Sequence, residues 1–180
     1  MLSISQNYVK ETIISSIINI IIANKSLYIY SSNKFYIALK NNYKTQEALV
    51  KISVYIIGEI GEFLLKNSIT DGDGNIINVT ENDLIDLYRN LLAQKYSETS
   101  VKEFILNSIL KLSNKILVTK TAKENLCELN DSQKFEFDYE IQQRACEYNL
   151  FNIFVNEEVR CKILAAVPLY KTYKDNEVKK

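Results

Sequence analysis

The stretch Gln46-Glu47-Ala48-Leu49-Val50-Lys51-Ile52-Ser53-Val54-Tyr55-Ile56-Ile57-Gly58-Glu59-Ile60-Gly61-Glu62-Phe63-Leu64-Leu65 decides the fold class. Its centre, Ile52 to Ile57, is rich in branched and aromatic residues and would pass for a strand on propensity alone. A typical strand is about five or six residues long. The apolar character here continues well beyond that, so length argues for a helix. Apolar residues lie almost all round this helix, which is the mark of one buried on several sides.

The flanking sequence agrees. The 180 residues include one proline, Pro168, and four glycines, all between Gly58 and Gly74. Long helices tolerate neither residue well, so their scarcity favours an all-α chain. On the N-terminal side, Val9, Ile13, Ile17 and Ile20 line one face of a first helix, with Ile14, Ile18 and Ile21 beside them. A second helix is expected from about Ser26 to Leu39, carrying Leu27, Ile29, Tyr30, Phe35, Tyr36 and Leu39. On the C-terminal side, Asn67 to Val79 reads as a loop. Thr80 then reads as an N-cap, followed by acidic residues that complement the helix dipole.

Leu84, Ile85, Tyr88, Leu91 and Leu92 make the stripe of a fourth helix, and Ser97 to Ser100 punctuate. Val101, Phe104, Ile105, Ile109, Leu112 and Ile116 carry a fifth, and a short sixth covers about Thr121 to Leu129. Asn130 to Glu136, polar apart from Phe135, reads as a loop. Ile141, Ala145 and Tyr148 share a face of the seventh helix, with Leu150, Phe151 and Phe154 near its end. An eighth starts near Asn156 and stops before Pro168, because proline disfavours helix in the residue preceding it. About eight amphipathic helices joined mainly by short loops predict stacked antiparallel pairs, an α-solenoid of the HEAT or armadillo kind. No clean internal sequence repeat accompanies this pattern.

Composition excludes several classes of function. Lys plus Arg and Asp plus Glu are equal at 22 each, so there is no global attraction to nucleic acid or an anionic membrane. The twelve tyrosines are spread over several helices rather than forming a base-stacking platform, and nucleic acid is not expected as a partner. There is no histidine, which removes Ser-His-Asp and Cys-His catalysis, imidazole zinc sites and histidine pH switching. Cys127, Cys146 and Cys161 are odd in number and contain no C-x-x-C pair, which fits a reducing, cytosolic compartment and apolar filler better than a disulfide framework or a nucleophile. The apolar run Ile13 to Ala23 is 11 residues long and holds Ser15, Ser16 and Asn19. A membrane span needs about 20 apolar residues, so the run reads as a core helix. It also lacks the pattern of a signal peptide.

Candidate sites have plain structural readings. Asp71-Gly72-Asp73-Gly74-Asn75 places oxygen ligands at the first, third and fifth positions of a calcium loop. Ile76 stands where such a loop needs glycine and Asn82 where it needs glutamate, so a flexible turn is the expectation. Gly58-Glu59-Ile60-Gly61 lacks the Lys-Ser/Thr of a phosphate loop; its expected role is close helix packing. Glu59 and Glu62 share a helix face with no nucleophile or metal site nearby, and read as a solvated face or a structural hydrogen bond. Gln142, Gln143 and Arg144 could mark a binding surface. The preferred reading has Arg144 tying adjacent helices together through carbonyls or carboxylates. No catalytic, cofactor or metal residue is assigned, and the chain is not expected to be an enzyme.

Glu140-Ile141-Gln142-Gln143-Arg144-Ala145-Cys146-Glu147-Tyr148-Asn149 closely resembles a segment near the end of the trunk of the gamma-adaptin family. Other landmarks fall in the family's order. They are Asn7-Tyr8-Val9-Lys10-Glu11, Ile56-Ile57-Gly58-Glu59-Ile60-Gly61-Glu62-Phe63-Leu64, Val79-Thr80-Glu81-Asn82-Asp83, Leu110-Lys111-Leu112-Ser113 and Val167-Pro168-Leu169. The resemblance spans roughly residues 5 to 170, and Met1 before a mid-trunk match reads as an expression boundary. Gamma-adaptins are large subunits of the clathrin adaptor complex of the trans-Golgi network and endosomes.

The resemblance implies that residues 1–172 are the C-terminal part of an adaptin trunk solenoid and that 173–180 are a polar, frayed tail. It implies a scaffold in vesicle-mediated protein transport, partnered by a beta-adaptin large subunit and by medium and small adaptor subunits. It places the protein in the cytoplasm, peripherally on Golgi and coated-vesicle membranes. Clathrin and small-GTPase contacts would lie in parts of the parent protein outside this chain. Two alternatives stay open: an alpha or epsilon large subunit of a sister complex, and a free-standing helical-repeat binding module.

Overall fold

In the computed structural model, the chain is described over residues 9–42, 46–70, 75–116 and 119–165. Nine α-helices account for most of those residues: α1 Glu11–Ala23, α2 Tyr28–Asn42, α3 Glu47–Ile60, α4 Glu62–Lys66, α5 Glu81–Leu92, α6 Thr99–Lys111, α7 Lys120–Ser132, α8 Tyr139–Phe154 and α9 Glu157–Ile163. The all-helical expectation holds, with one local exception. The predicted loop from Asn67 to Val79 contains a small antiparallel pair, β1 Ile69–Thr70 and β2 Ile76–Ile77. Ile69 is fully buried there and Ile77 packs against the core, so the pair pins the α4–α5 connection to the body of the protein.

α3 is the axis of the fold. Every residue from Ala48 to Ile60 is buried except Tyr55. Two apolar clusters meet across it. Val50, Val54 and Ile57 face the larger, built with α2, α5, α6 and α7. Ala48, Ile52, Ile56 and Ile60 face the smaller, built with Ile14, Ile18 and Ile21 of α1. This double burial is why the stretch is apolar all round. Its most extensive neighbours are α6 and α2.

The predicted helix over 46–65 is two pieces. The chain tightens at Gly61, where a Cβ would sit 2.4 Å from the Ile57 carbonyl oxygen, and α4 starts afresh at Glu62. The fifth predicted helix likewise ends at Lys111, and a π-type turn continues to Ile116. α7 runs through Ser132 and is followed by a 3₁₀ turn at Gln133–Phe135, so little of the predicted 130–136 loop is irregular.

The face of α1 also differs from the expected one. Ile14, Ile18 and Ile21 are buried, whereas Ile13 and Ile20 are exposed. Both sets have helical spacing, and only the position of α3 selects between them. No single helix among the described residues is long and apolar enough to cross a membrane, and α1 and the following helical stretch are bent by 98°. Asn7 and Tyr8, Asp71 to Gly74, Val167-Pro168-Leu169 and the 173–180 tail lie outside the described residues.

Candidate functional site

The polar groups buried in this fold sit where helices meet. Ser108 of α6 donates to the Val54 carbonyl of α3 at 2.6 Å and shares a hydrogen bond with the Tyr88 hydroxyl of α5, so one hydroxyl joins three helices. Burial pushes the Tyr88 phenol far up, and it stays neutral. Gly58 is what lets the helices approach: a Cβ there would stand 2.7 Å from Ser108 Oγ and 3.1 Å from Ser108 Cα. The packing role expected of Gly58 is therefore realised against a specific neighbour. Next to Gly58 in the chain, buried Glu59 pairs with Lys111 of α6, whereas Glu62 is exposed and pairs with Lys66 within α4. The two glutamates thus separate into a structural ion pair and a solvated face.

Lys51 is the least expected of these groups. Its side chain is 3% exposed, yet its Nζ reaches Glu11 of α1 at 2.5 Å and Glu98 beside α6 at 2.6 Å. Burial works to lower the Lys51 ammonium pKa, but the hydrogen bonds and charges of both glutamates outweigh it, and the net shift is upward. The Lys51 hydrogen bond holds Glu98 below the usual carboxylate range. Nothing in the local sequence announces this bridge, since its partners are 40 and 47 residues away.

Arg144 takes the structural role expected of it. Its guanidinium reaches Glu103 of α6 at 3.1 Å and Glu140 of its own helix at 2.8 Å, joining α8 to α6. Gln142 donates to the Glu136 carbonyl and Gln143 to Glu147 on the same helix. A cavity of about 300 Å³ lies between α3, α6 and α8, lined by Tyr55, Phe104, Ser108, Lys111, Tyr148 and Leu164 among others. Its charged lining groups, Glu59 and Lys111, are the buried ion pair already described.

Burial raises the half-buried Cys127 thiol, which keeps it in the poorly nucleophilic protonated form. Cys146 and Cys161 are exposed. No group of three or more Cys, Asp or Glu side chains able to hold a metal is found among the described residues. This arrangement can hold helices in register and present surfaces.

The most conspicuous surface was not singled out by sequence reasoning. Phe135, Phe137 and Tyr139 project from the segment that runs from the 3₁₀ turn after α7 into the first turn of α8. The available signal was the alternation of aromatic and acidic residues in Phe135-Glu136-Phe137-Asp138-Tyr139.

Residues 1–153 match the family model for the adaptin N-terminal region. The chain is similar to the AP-1 complex subunit gamma of Dictyostelium discoideum, at 29% identity over 83% of this chain and 17% of that protein. It is similar to the AP-1 complex subunit gamma-1 of Arabidopsis thaliana, at 28% identity over 90% of this chain and 18% of that protein. The AP-2 complex subunit alpha-2 of Dictyostelium discoideum also matches, at 25% identity over 98% of this chain and 16% of that protein. The chain therefore spans less than a fifth of the length of these relatives.

Proposed function

Because the chain belongs to the adaptin family, matching its N-terminal region over residues 1–153, we propose that it is a scaffold segment of a clathrin adaptor large subunit of the gamma type. The segment corresponds to the C-terminal part of the trunk and serves vesicle-mediated protein transport between the trans-Golgi network and endosomes. The observation that carries this reading is the match to AP-1 gamma subunits from several species along most of the chain. Buried cross-links between helices, rather than reactive groups, support a mechanical role: the solenoid holds other modules in position. No catalytic role is proposed.

The partners proposed are a beta-adaptin large subunit and medium and small adaptor subunits, with the assembly lying peripherally on Golgi and coated-vesicle membranes. Clathrin and small-GTPase contacts are assigned to parts of the parent protein outside this chain. The match to an AP-2 alpha subunit supports a second reading, a sister complex with the same mechanism and a different compartment.

Affinity purification of the full-length parent protein with mass spectrometry tests both. Recovery of a beta-adaptin, a medium chain and a small chain in comparable amounts is the expected result, and the type of medium chain decides between gamma and its sisters. A monomer recovered without any of them, under conditions that preserve adaptor complexes, overturns the reading in favour of a free-standing helical module.

A further inference from the structure

The segment that runs from the 3₁₀ turn after α7 into the first turn of α8 reads Lys134-Phe135-Glu136-Phe137-Asp138-Tyr139-Glu140, and the structure sorts its alternating side chains by direction. The two central acids are tied down. Glu136 pairs with Lys102 of α6, and its carbonyl accepts from Gln142 Nε2 at 2.5 Å. Asp138 caps α8, accepting from the Glu140 N–H at 2.9 Å and the Ile141 N–H at 3.3 Å, and also accepts the Thr99 hydroxyl at 2.8 Å. The aromatics go the other way: Phe135 is 85% exposed, Phe137 105% and Tyr139 76%.

Single exposed apolar residues are ordinary on a protein surface, but three large aromatics within five residues form a ridge. The bonds to Glu136 and Asp138 hold its backbone, and each ring has only two side-chain torsions. Little conformational freedom is therefore left to lose on binding. Phe and Tyr are also the residue types enriched at the centres of protein interfaces.

Charge selects the kind of partner. Near the ridge Lys102 pairs with Glu136, Lys134 with Asp131, and Arg144 with both Glu103 and Glu140, so that with Asp138 the five carboxylates exceed the three cations by two. An acidic surround is repelled by an anionic bilayer and attracted by a Lys- and Arg-rimmed protein surface. The ridge also lies at helix ends, with the starts of α6 and α8 joined through Thr99–Asp138.

The geometry points to the 135–139 ridge as a docking edge for another protein subunit of the adaptor complex, one that presents an apolar groove rimmed by Lys and Arg. The inference rests on the adaptor reading above.

The test uses the full-length parent chain in its purified complex, with a photo-crosslinking phenylalanine analogue at position 137. Mass spectrometry of crosslinked peptides reads what lies opposite. The expected product joins position 137 to a Lys- or Arg-containing peptide of another subunit. The double variant Phe137→Ser and Tyr139→Ser is expected to weaken affinity for that subunit at least tenfold, to steepen its loss with added salt, and to leave the melting temperature unchanged.

An assembled complex with no crosslink to another subunit and an unchanged affinity overturns the inference while leaving the adaptor reading intact. Crosslinks only within the same chain overturn it in favour of intramolecular packing. Crosslinks only to lipid, in the presence of phosphatidylserine vesicles, overturn it in favour of membrane contact. Failure to recover any complex with the unmodified chain overturns the adaptor reading itself, and the inference falls with it.

Discussion

Gly58 and Lys51 show how much can rest on a single side chain, or on its absence. In the middle of α3 a glycine costs about 1 kcal/mol relative to alanine, so Gly58→Ala would stabilise an isolated helix. Here the added methyl group meets Ser108, and one of the atoms it meets is backbone, which cannot swing away. The clash outweighs the propensity gain, and Gly58→Ala is expected to destabilise the protein by about 1–3 kcal/mol. Urea unfolding should show this as a lower midpoint with an unchanged slope.

Lys51 gives a sharper contrast, because its two partners are not buried as it is. The Glu11 and Glu98 side chains are 62% and 54% exposed, against 3% for Lys51. Lys51→Met leaves two carboxylates that water can solvate, and its expected cost is under about 1 kcal/mol. Glu11→Gln with Glu98→Gln instead leaves a buried ammonium without its counter-charges and is expected to cost about 3 kcal/mol or more. Equal losses in the two variants, measured by the same unfolding experiment, would contradict this account of the bridge.

Between elements, these charged contacts make helix placement sensitive to pH. Thr80 and Asp83 form a complete capping box at the start of α5: the Asp83 N–H donates to Thr80 Oγ1 at 3.2 Å, and the Thr80 N–H donates to Asp83 Oδ2 at 2.8 Å. Hydrogen bonds from the Thr80 side chain and backbone hold the Asp83 carboxyl below its ordinary value of 3.8, and Lys51 holds Glu98 below 4.5. The folded state therefore favours the ionised forms. The stability they contribute is present above those ordinary values and is lost as pH falls through the lower folded ones. Lys51 acts in the opposite direction: its contribution is present below 10.5 and is lost as pH rises through its raised folded value.

The melting temperature should accordingly fall on acidification below about pH 4. Thr80→Ala, which removes one arm of the box at a cost of about 1 kcal/mol, should make the acid side of that profile shallower. The α5 cap and stripe were legible because every signal for them lies within a dozen residues. That residues 47–60 form a helix rather than a strand was legible too, and so was Arg144 as a tie between helices. The break at Gly61, the choice of Ile14, Ile18 and Ile21 over Ile13 and Ile20, and the β1–β2 pair were not. The break follows from a tight local approach to the Ile57 carbonyl, the isoleucine face and the strand pair depend on what packs opposite, and the Lys51 bridge depends on partners distant in sequence. The aromatic ridge was visible as an alternation, but only the pairing of Glu136 with Lys102 and of Asp138 with Thr99 and the start of α8 shows which set of side chains turns outward.

At the scale of the whole molecule, the apolar side chains left in water are not scattered. Ile13, Ile20, Leu27, Ile29 and Tyr30 are exposed along α1 and the start of α2, and Leu150, Ile153, Phe154, Val159 and Ile163 along the end of α8 and α9. Ile76 and the 135–139 ridge apart, these two groups lie on the first two and last two helices described, and no large apolar side chain of α3 to α7 is exposed. A stack whose inner members bury their faces against neighbours leaves such faces at its terminal members unless they carry polar caps. The central helix α3 needs no such cap, because α1, α2 and α6 already surround it.

The 180-residue chain alone should therefore self-associate through its terminal faces. Light scattering coupled to size exclusion should give an average mass that exceeds 20.8 kDa and climbs with concentration. Ile20→Gln combined with Ile153→Gln should return the mass toward the monomer. Because both positions are exposed, it should change unfolding stability by no more than about 0.5 kcal/mol at each site. A mass that stays at the monomer value as concentration is raised would mean that these faces are tolerated in water, and the solenoid would then need no neighbour at either end.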